Sequence, residues 1–450
     1  MATALIILAA GQGTRMNSDL PKVLHPLGAA PLLHHAMRAG AALFPDRTIV
    51  VVGHGGDRVR KAALAYDETA EIVVQEEQLG TGHAVAQALP LLAGFDGRIV
   101  VLFGDTPFIR AETLEKLAAS TADVTVLGFH DHSRPQRYGR LVVEDGQLTR
   151  IVEFKDATPA EREITLINSG VVACDAGVLS GLVAALTNDN AAGEYYLPGI
   201  VAVARARGLS AAAETCPEEE TLGIDTRASL AAAEAVFQSR ARAEALENGV
   251  TLTAPETVFF ALDTVVGRDT VIGPNVVFGP GVTVESEAEI LSFCHLEGCH
   301  ISRGARVGPF ARLRPGAELA EDVHVGNFVE IKNSILDEGV KVGHLTYLGD
   351  AHVGEHANIG AGTVTCNYDG VMKHRTEIGA RAFIGSDTML VAPVRIGAGA
   401  LTGSGSVITE DVPDDAVAIG RASQVVKPGL AKKLFEKLKS EKARRQKETE

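Results

Sequence analysis

Large apolar residues recur at every sixth position along the C-terminal part of the chain, from about Val250 onwards. Glycine directly follows many of them, as in Val307-Gly308 and Ile384-Gly385. This period matches neither an amphipathic helix, which repeats every ~3.6 residues, nor a strand with one buried face. It predicts a hexapeptide β-solenoid, in which three short strands form one coil and the coils stack into a prism. The residues on the period are Val266, Ile272, Phe278, Val284, Ile290, Leu296, Ile301, Val307, Leu313, Leu319, Val325, Ile331, Val342, Leu348, Val353, Ile359, Ile378, Ile384, Leu390 and Ile396.

Two segments of this region depart from the period. Gly362–Glu377 interrupts it, and we expect this segment to loop out of the prism. The tail from Lys427 to Glu450 has nine Lys or Arg and four Asp or Glu. We expect it to form a short basic helix with a solvated end.

The first 225 or so residues alternate runs rich in Val and Ile with stretches of helical spacing. This order predicts an α/β domain with a mostly parallel sheet and helices on both faces. Ligands of such sheets bind beyond the carboxyl ends of the strands. The predicted strands are Ala4–Leu8, Thr48–Val52, Glu71–Val74, Arg98–Phe103 and Asp123–Phe129, and the predicted helices include Ala30–Gly40, Gly82–Leu92 and Ala111–Ala119.

A run without Gly or Pro, Thr226–Asn248, joins the two halves. It is rich in Ala, Glu, Arg and Leu, which are strong helix formers, and Asn248-Gly249 supplies a stop signal. We therefore predict three parts: an N-terminal domain over residues 1–226, a connecting helix over 227–248 and a solenoid domain with a helical tail over 249–450.

Charge and cysteine content exclude several classes of protein. The 450 residues include 42 Lys or Arg and 57 Asp or Glu, a net charge of −15. Because binding to nucleic acid or a membrane surface needs a basic face, we expect no nucleic-acid partner. The longest apolar stretch, around Ile164 to Leu186, is interrupted by Asn168 and Asp175, so we expect no membrane insertion. The five cysteines form no C-x-x-C pair, which argues against a disulfide framework or a cysteine zinc site and favours a cytoplasmic protein.

The first predicted strand runs into a glycine loop, Leu8–Met16, followed by Leu20-Pro21-Lys22. Glycines let backbone N–H groups approach a phosphate, and the cations Arg15 and Lys22 can neutralise a triphosphate. The loop lacks the Walker lysine and the third glycine of the dinucleotide fingerprint, which disfavours an ATPase or a dehydrogenase. Asp105, at the end of another predicted strand, suits Mg²⁺; alternatively, it only caps the turn before Pro107.

These stretches carry a specific resemblance. The pattern L-A-A-G-x-G-T-R-M followed by L-P-K resembles the signature of sugar-phosphate nucleotidyltransferases. Together with the solenoid, further motifs resemble the bacterial bifunctional N-acetylglucosamine-1-phosphate uridyltransferase/glucosamine-1-phosphate acetyltransferases over essentially the whole chain. These motifs are Gln75–His83, Tyr138–Arg140, Ile151–Asp156, Asn168–Gly170 and Gly193–Tyr196.

The resemblance implies a Rossmann-like uridyltransferase domain at residues 1–226 and a left-handed parallel β-helix for the solenoid. For the first domain it implies that the nucleotide is lined by Leu8, Ala9, Ala10 and Gly11, and that the uracil is read by Gln75, Gly80 and Thr81. The triphosphate would be stabilised by Arg15 and Lys22, and the nucleotide sugar would face Phe103, Gly104 and Asp105. N-acetylglucosamine would be held by Gly139, Glu153 and Asn168, and Mg²⁺ would be bound by Asp105 and Asp225. Two positions depart from the family pattern. Asp225 replaces the usual Asn, and Phe103 replaces a common Tyr, which removes a hydroxyl.

Polar stretches in the solenoid serve no structural need and also match the family: Arg312–Gly316, Gly326–Lys332, Gly343–Asp350 and Thr365–Gly370. The resemblance implies that the sugar phosphate is bound by Arg314 and Lys332 and that the sugar is contacted by Tyr347 and Asn358. Asn367 and Tyr368 would lie near the acetyl donor, and acetyl-CoA would be contacted by Ala361, Ser386, Ser404 and Arg421. His344 is the expected general base, because an imidazole can accept a proton from the attacking amine at neutral pH.

The implied protein is a cytoplasmic homotrimer that makes UDP-N-acetylglucosamine, a precursor of peptidoglycan and lipopolysaccharide, from glucosamine 1-phosphate, acetyl-CoA and UTP with Mg²⁺. N-acetylglucosamine 1-phosphate is the intermediate. Three alternatives stay open. The chain could be a single-activity nucleotidyltransferase with a regulatory or oligomerising solenoid, or a zinc-dependent hydratase that uses His324, His344 and His352. A purely structural solenoid would leave the N-terminal loop unexplained.

Overall fold

The computed structural model describes residues 2–131, 138–190 and 192–447. The chain forms two compact units. The N-terminal unit contains the chain up to Asn248 together with Val258–Thr264 and Phe278–Pro280, and the C-terminal unit contains the rest. Among the described residues, no helix combines the length and the apolar character needed to cross a membrane.

A nine-stranded sheet forms the centre of the N-terminal unit. Seven strands follow the order β11-β7-β10-β6-β1-β4-β5, and the hairpin β8–β9 joins the sheet through β10. Most neighbours along this path are parallel, but β10 runs antiparallel to both β6 and β7. The strands are β1 Thr3–Ala9, β2 Pro26–Leu27, β3 Ala30–Pro31, β4 Arg47–Val52, β5 Glu71–Val74, β6 Arg98–Phe103, β7 Val124–His130, β8 Arg140–Glu144, β9 Gln147–Val152, β10 Leu166–Asp175 and β11 Ala211–Thr215, of which β2 and β3 form a separate small hairpin.

Apolar clusters cover both faces of this sheet, so its central strand β1 is buried at every residue. A strand that is buried on both faces needs a continuous apolar sequence, and T-A-L-I-I-L-A supplies one. The helices of the unit are α1 Leu32–Ala41, α2 Gly56–Tyr66, α3 Thr81–Ala88, α4 Ala111–Ala119, α5 Pro159–Arg162, α6 Ala176–Ala184, α7 Ile200–Ala206 and α8 Arg227–Glu247. The five strands and the three helices predicted from the sequence are confirmed within two residues at most ends, except that the predicted Gly82–Leu92 ends as a 3₁₀ turn, Leu89–Leu92. The Rossmann-like fold class is confirmed as well.

Helix α8 packs within the N-terminal unit. The Thr226 hydroxyl caps its first turn by accepting from the Ser229 N–H. On the buried side, the Gln238 amide donates to the Phe260 carbonyl and accepts from the Phe260 N–H, both at 2.8 Å. This pair of hydrogen bonds satisfies a glutamine that is only 2% exposed.

The C-terminal unit is a stack of short parallel strands on three faces, the arrangement of the predicted β-helix. The residues on the six-residue period point inward, and Ile290, Leu313 and Ile331 have no exposed surface. The first face contains Thr251–Leu252, Val271–Ile272, Glu289–Ile290, Arg306–Val307, His324–Asn327, Lys341–His344, Asn358–Ile359, Phe383–Ile384, Leu401–Thr402 and Val417–Ala418. The second contains Val265–Val266, Thr283–Val284, Cys299–Ile301, Ala317–Leu319, Ser334–Leu336, Ala351–Val353, Thr376–Ile378 and Val394–Ile396. The third contains Val277–Phe278, His295–Leu296, Arg312–Leu313, Glu330–Lys332, Tyr347–Gly349, Val364–Cys366, Met389–Val391 and Val407–Ile408.

The predicted excursion Gly362–Glu377 is too long at both ends. Val364–Cys366 is a strand of the third face, and Thr376–Ile378 is a strand of the second. Only the residues between them leave the coil, because each strand still finds a parallel neighbour in the next coil. The tail forms α9, Leu430–Lys447, and residues 448–450 of the predicted tail lie outside the described residues.

Candidate active sites

A cleft of about 330 Å³ opens at the carboxyl ends of β1 and β6, where Leu8 pairs with Phe103. Its position follows the rule for ligand sites in open α/β sheets. The cleft is lined by Leu8, Ala9, Ala10, Gly11, Lys22, Val23, Gln75, Gln78, Gly80, Thr81, Ala84, Phe103, Asp105 and Glu194. Sequence reasoning had assigned a site role to all of these except Val23, Gln78, Ala84 and Glu194. Gly104 lies beside the cleft, and its N–H donates to the Leu8 carbonyl at 3.0 Å.

The glycine loop packs directly on Lys22. Gly13 has φ +63°, and a Cβ at this position would lie 2.5 Å from the Lys22 Cβ. Only glycine allows this conformation and this approach together. Beside Gly11, by contrast, a Cβ would meet nothing within 4 Å, so this glycine faces open space in the cleft.

Four charged side chains meet at one edge of the cleft. The Lys22 ammonium contacts the carboxylates of Asp105 and Asp225, the latter at 2.8 Å, and Arg15 pairs with Asp225 at 2.9 Å. Burial acts to lower the pKa of Lys22, but the two carboxylates outweigh it and raise this pKa above its ordinary value. Lys22 therefore keeps its positive charge. The carboxyl oxygens converge because the Ile224 N–H donates to the Asp105 carbonyl at 3.1 Å, which holds Asp225 beside Asp105.

The opposite edge is formed by the start of α3. The Gln75 side chain is 4% exposed, and its Nε2 donates to the Gly80 carbonyl at 3.1 Å. Gly80 has φ +106°, and a Cβ there would lie 2.7 Å from the Tyr195 carbonyl oxygen. Thr81 Oγ1 accepts from the Leu197 N–H at 3.0 Å. The motif around Gln75 is thus held against the motif around Tyr195.

The three residues expected at the sugar lie together, with Asn168 on β10, Gly139 directly before β8 and Glu153 directly after β9. The Asn168 N–H donates to the Gly139 carbonyl at 2.8 Å, and a Cβ on Gly139 would lie 3.1 Å from Glu153 Oε1. Burial, followed by the charge of Asp156, raises the pKa of Glu153. None of the three lines the cleft, but Phe103 connects both groups, since its ring packs against Gly170 next to Asn168.

Two of the missed cleft residues stand inside motifs that the sequence had already singled out. Gln78 belongs to Gln75–His83, and its Nε2 donates to the Ala10 carbonyl at 2.8 Å. Glu194 belongs to Gly193–Tyr196. The motifs gave the signal, but only the fold shows which of their side chains turn into the cleft.

A second candidate site follows one corner of the C-terminal unit. The first-face register pairs Val342 with Ile359 and Ile359 with Ile384, so His344, Ala361 and Ser386 follow one another in successive coils. Ser404 continues the row in the next coil, and its carbonyl accepts from Arg421 Nη1 at 2.8 Å. The exposed His344 side chain thus stands next to the row of residues expected at acetyl-CoA.

The residues expected at the sugar phosphate lie mainly on the third face. Arg314 Nη1 pairs with Glu330 Oε1 at 2.9 Å, and Glu330 is the strand neighbour of Tyr347. Lys332 lies near Asp350 and near Lys373, and the neighbouring Lys373 lowers the pKa of Lys332.

The remaining residues expected at this site are dispersed around that group. The Asn367 amide donates to Asp350. Asn358 lies on the first face, between Lys341 and Phe383. Tyr368 is 61% exposed, and its hydroxyl donates to the carbonyl of Gly370 at 2.6 Å within the excursion.

Within the part of the chain that the structure describes, no three His, Cys, Asp or Glu side chains are grouped so that they could hold a metal ion. His352, instead, is paired with Asp337 and Glu377 at 2.9 and 3.2 Å. His324 and His344 lie on the first face and His352 on the second, so the three histidines of the hydratase alternative do not share a face. All five cysteines are free thiols.

Residues 5–144 match the MobA-like NTP transferase domain. Proteins named bifunctional protein GlmU match over nearly the whole length: the protein of Cereibacter sphaeroides is 72% identical over 447 residues (99% of this chain, 98% of the relative). That of Paracoccus denitrificans is 70% identical over 439 residues (98% of each chain), and that of Ruegeria pomeroyi is 63% identical over 451 residues (100% of each). The chain belongs to the GlmU family.

Membership of the GlmU family confirms the resemblance recognised in the sequence. Both candidate sites fall within the matched length of these relatives, whose name describes a bifunctional protein. It is an enzyme of the nucleotidyltransferase and acyltransferase classes.

Proposed function

We propose that this chain makes UDP-N-acetylglucosamine in two steps. Acetyl-CoA first acetylates glucosamine 1-phosphate, and N-acetylglucosamine 1-phosphate then takes a uridylyl group from UTP with release of pyrophosphate. The product feeds the synthesis of peptidoglycan and lipopolysaccharide. The observation that carries the proposal is identity to a GlmU relative over 99% of the chain, and the cleft at the carboxyl ends of β1 and β6 supports it.

In the uridylyl site, the phosphate oxygen of N-acetylglucosamine 1-phosphate attacks the α-phosphorus of UTP in line, and the bond to pyrophosphate breaks. A phosphate nucleophile is already ionised, so no general base is needed. Arg15 and Lys22 neutralise the charge of the triphosphate, and the cleft orients both substrates. Gln75, Gly80 and Thr81 read the uracil, and Gly139, Glu153 and Asn168 hold the sugar.

Asp105 and Asp225 are the residues that would hold Mg²⁺. The donor set fits this ion, because Mg²⁺ takes one or two carboxylates together with phosphate oxygens. Both carboxylates face the same Lys22 ammonium, so their oxygens already converge. When bound, the ion would neutralise charge on the phosphate oxygens. Asp at position 225, where the family usually has Asn, supplies an equally good oxygen donor with a further negative charge.

In the acetyl site, His344 takes the proton of the attacking amine. The amine nitrogen of glucosamine 1-phosphate bonds to the thioester carbon, the carbon–sulfur bond breaks, and the proton passes to the departing CoA sulfur. Arg314 and Lys332 bind the sugar phosphate, and Tyr347 and Asn358 contact the sugar. The acetyl donor lies along the row of Ala361, Ser386, Ser404 and Arg421, near Asn367 and Tyr368.

We place the enzyme in the cytoplasm as a homotrimer. Five free thiols suit a reducing compartment.

The trimer is supported by a stripe of stacked, half-exposed rings on the C-terminal unit, which suits burial by a second copy. The ring centroids of Phe293 and Phe310 are 4.7 Å apart, and those of Phe310 and Phe328 are 5.3 Å apart. Sedimentation velocity should give a species of three chains, and a clean monomer at working concentration would contradict the trimer.

The decisive test of the function is an assay of the purified protein with glucosamine 1-phosphate, acetyl-CoA, UTP and Mg²⁺, with each omitted in turn. UDP-N-acetylglucosamine should form only when all four are present. If N-acetylglucosamine 1-phosphate is used but glucosamine 1-phosphate and acetyl-CoA are not, the chain is the single-activity nucleotidyltransferase instead.

A further inference from the structure

Gln75 presents its side-chain amide at the cleft, and one half of that amide is fixed. Nε2 lies 3.1 Å from the Gly80 carbonyl oxygen and 3.1 Å from His83 Nδ1. A backbone carbonyl only accepts, so the half of the amide that faces it must be the nitrogen. The Gly80 carbonyl cannot turn away easily, since it also accepts the Ala84 N–H at 3.1 Å in the first turn of α3.

His83 faces amide nitrogens on both sides. Nδ1 is 3.1 Å from Gln75 Nε2, and Nε2 is 3.1 Å from Gln87 Nε2. A neutral imidazole has one acceptor and one donor nitrogen, so it cannot accept from both. Gln75 cannot turn over, since its oxygen would then face the Gly80 carbonyl, so Nδ1 of His83 must be the nitrogen that accepts. At Gln87 either orientation leaves one poor contact, because its nitrogen faces Nε2 of His83 or its oxygen faces the His83 carbonyl at 3.2 Å.

These constraints select one tautomer of His83. Nδ1 is the bare nitrogen that accepts the second N–H of Gln75, and Nε2 carries the proton. Both protons of the Gln75 amide are then engaged, one by Gly80 and one by His83. The amide plane of Gln75 is held from two sides.

The oxygen of Gln75 is left over. Among the described residues, no group donates a hydrogen bond to Oε1. This oxygen is also not one of the buried side-chain atoms that lack a hydrogen-bond partner. Because Gln75 lines the cleft, this side chain offers a base an acceptor and not a donor. Uracil carries an N–H at position 3 and pairs with an acceptor, whereas cytosine has a lone pair there and is repelled by one.

We propose that His83 is a positioning residue that makes the uridylyl site select uracil over cytosine by fixing the Gln75 amide. The proposal rests on the proposed function, in which a nucleotide base lies at Gln75. Discrimination of this kind depends on a placed polar group that matches one base and opposes the other.

The test compares two variants of the full-length protein. His83→Phe keeps a ring but removes the acceptor, and His83→Asn places an amide oxygen near the position of Nδ1. For each, kcat and KM are measured with UTP and with CTP, using N-acetylglucosamine 1-phosphate and Mg²⁺. Acetyl transfer by the same preparations checks that the chain is folded.

In H83F we expect KM for UTP to rise about tenfold or more with a smaller change in kcat, and the UTP-to-CTP ratio of kcat/KM to fall by about tenfold. H83N should recover most of that ratio. An unchanged ratio in H83F, or an H83N variant that behaves like H83F, overturns the proposal. If H83F melts well below the wild type, H83A removes the acceptor without bulk and is judged by the same ratio. A wild-type protein without uridylyl transfer would instead reject the proposed function.

Discussion

Lys22 lies between two carboxylates that come from distant parts of the chain. Asp105 follows β6, whereas Asp225 lies just before α8, more than a hundred residues later in the chain. Their charges keep the lysine protonated in spite of its burial, and the packed glycine loop fixes where its stem lies. A cation that is always charged and held in place can stabilise a triphosphate without reorganising during the reaction.

We therefore expect Lys22→Ala to lower uridylyl transfer by about 100-fold or more while acetyl transfer stays close to wild type. Pyrophosphate release and CoA release, measured on one preparation, report the two reactions. Lys116→Ala, which removes an exposed lysine from α4 in the same unit, is the matched control and should change neither rate. Equal loss of both activities in folded K22A would defeat the two-site proposal.

His344 is exposed at the end of a first-face strand, next to the row of Ala361 and Ser386. Removing a general base typically costs about 10²–10⁴-fold in rate, so His344→Ala should abolish most acetyl transfer and leave uridylyl transfer intact. His324→Ala is the control, because His324 is also exposed and lies one coil earlier on the same face. A normal acetylation rate in H344A would remove His344 from the mechanism.

At the scale of the element, the corner that carries the acetyl site depends on glycines that precede its functional residues. A Cβ on Gly385, just before Ser386, would lie 2.4 Å from the Thr402 carbonyl oxygen. A Cβ on the corresponding Gly343, just before His344, would have no neighbouring atom within 4 Å. The next coil thus packs tightly against Gly385, whereas the position that a side chain of Gly343 would take is open.

This contrast gives a prediction for the β-helix. Gly385→Ala should destabilise the C-terminal unit by about 1–3 kcal/mol, since the backbone must shift to admit the methyl group. It should also raise KM for acetyl-CoA. Gly343→Ala should unfold at the wild-type temperature in a thermal melt. If both variants melt like the wild type, the corner is more adaptable than its contacts indicate.

How much could be predicted also differs between elements. The six-residue period predicted the inward residues of the β-helix because each coil repeats the same local geometry, as Leu313 and Ile331 illustrate. The period could not set the ends of the excursion, since Val364–Cys366 pairs with strands in other coils. The antiparallel β10 was also missed. Its sequence, L-I-N-S-G-V-V-A-C-D, reads as apolar, and its direction depends on β6 and β7.

The candidate sites show the same limit. Motifs identified Lys22 and Gln75, but nothing local to the sequence shows that Asp225 meets Lys22, because that contact requires the chain to return after some two hundred residues. The role we assign to His83 was likewise hidden, since it depends on which atom of Gln75 faces which neighbour.

At the scale of the whole molecule, a chain with a net charge of −15 can bind anionic substrates because a few cations lie at the candidate sites. In the N-terminal unit Arg15 and Lys22 lie beside the cleft, and in the C-terminal unit Lys332 lies near Lys373. In the function we propose, these few cations bind the phosphate groups, while the net negative charge opposes nonspecific binding to nucleic acid. The substrates would then be bound by a few cations in each unit and not over a basic face.

We predict that the intermediate is released into solution by the acetyl site and then taken up by the uridylyl site. Lys22→Ala should retain acetyl transfer and His344→Ala should retain uridylyl transfer, so neither variant alone makes UDP-N-acetylglucosamine from glucosamine 1-phosphate, acetyl-CoA and UTP. An equal mixture should make it, after a lag in which N-acetylglucosamine 1-phosphate accumulates. Replacing H344A in the mixture by the double variant K22A/H344A should abolish the product. A mixture as inactive as its components would mean that the intermediate does not leave the chain that forms it.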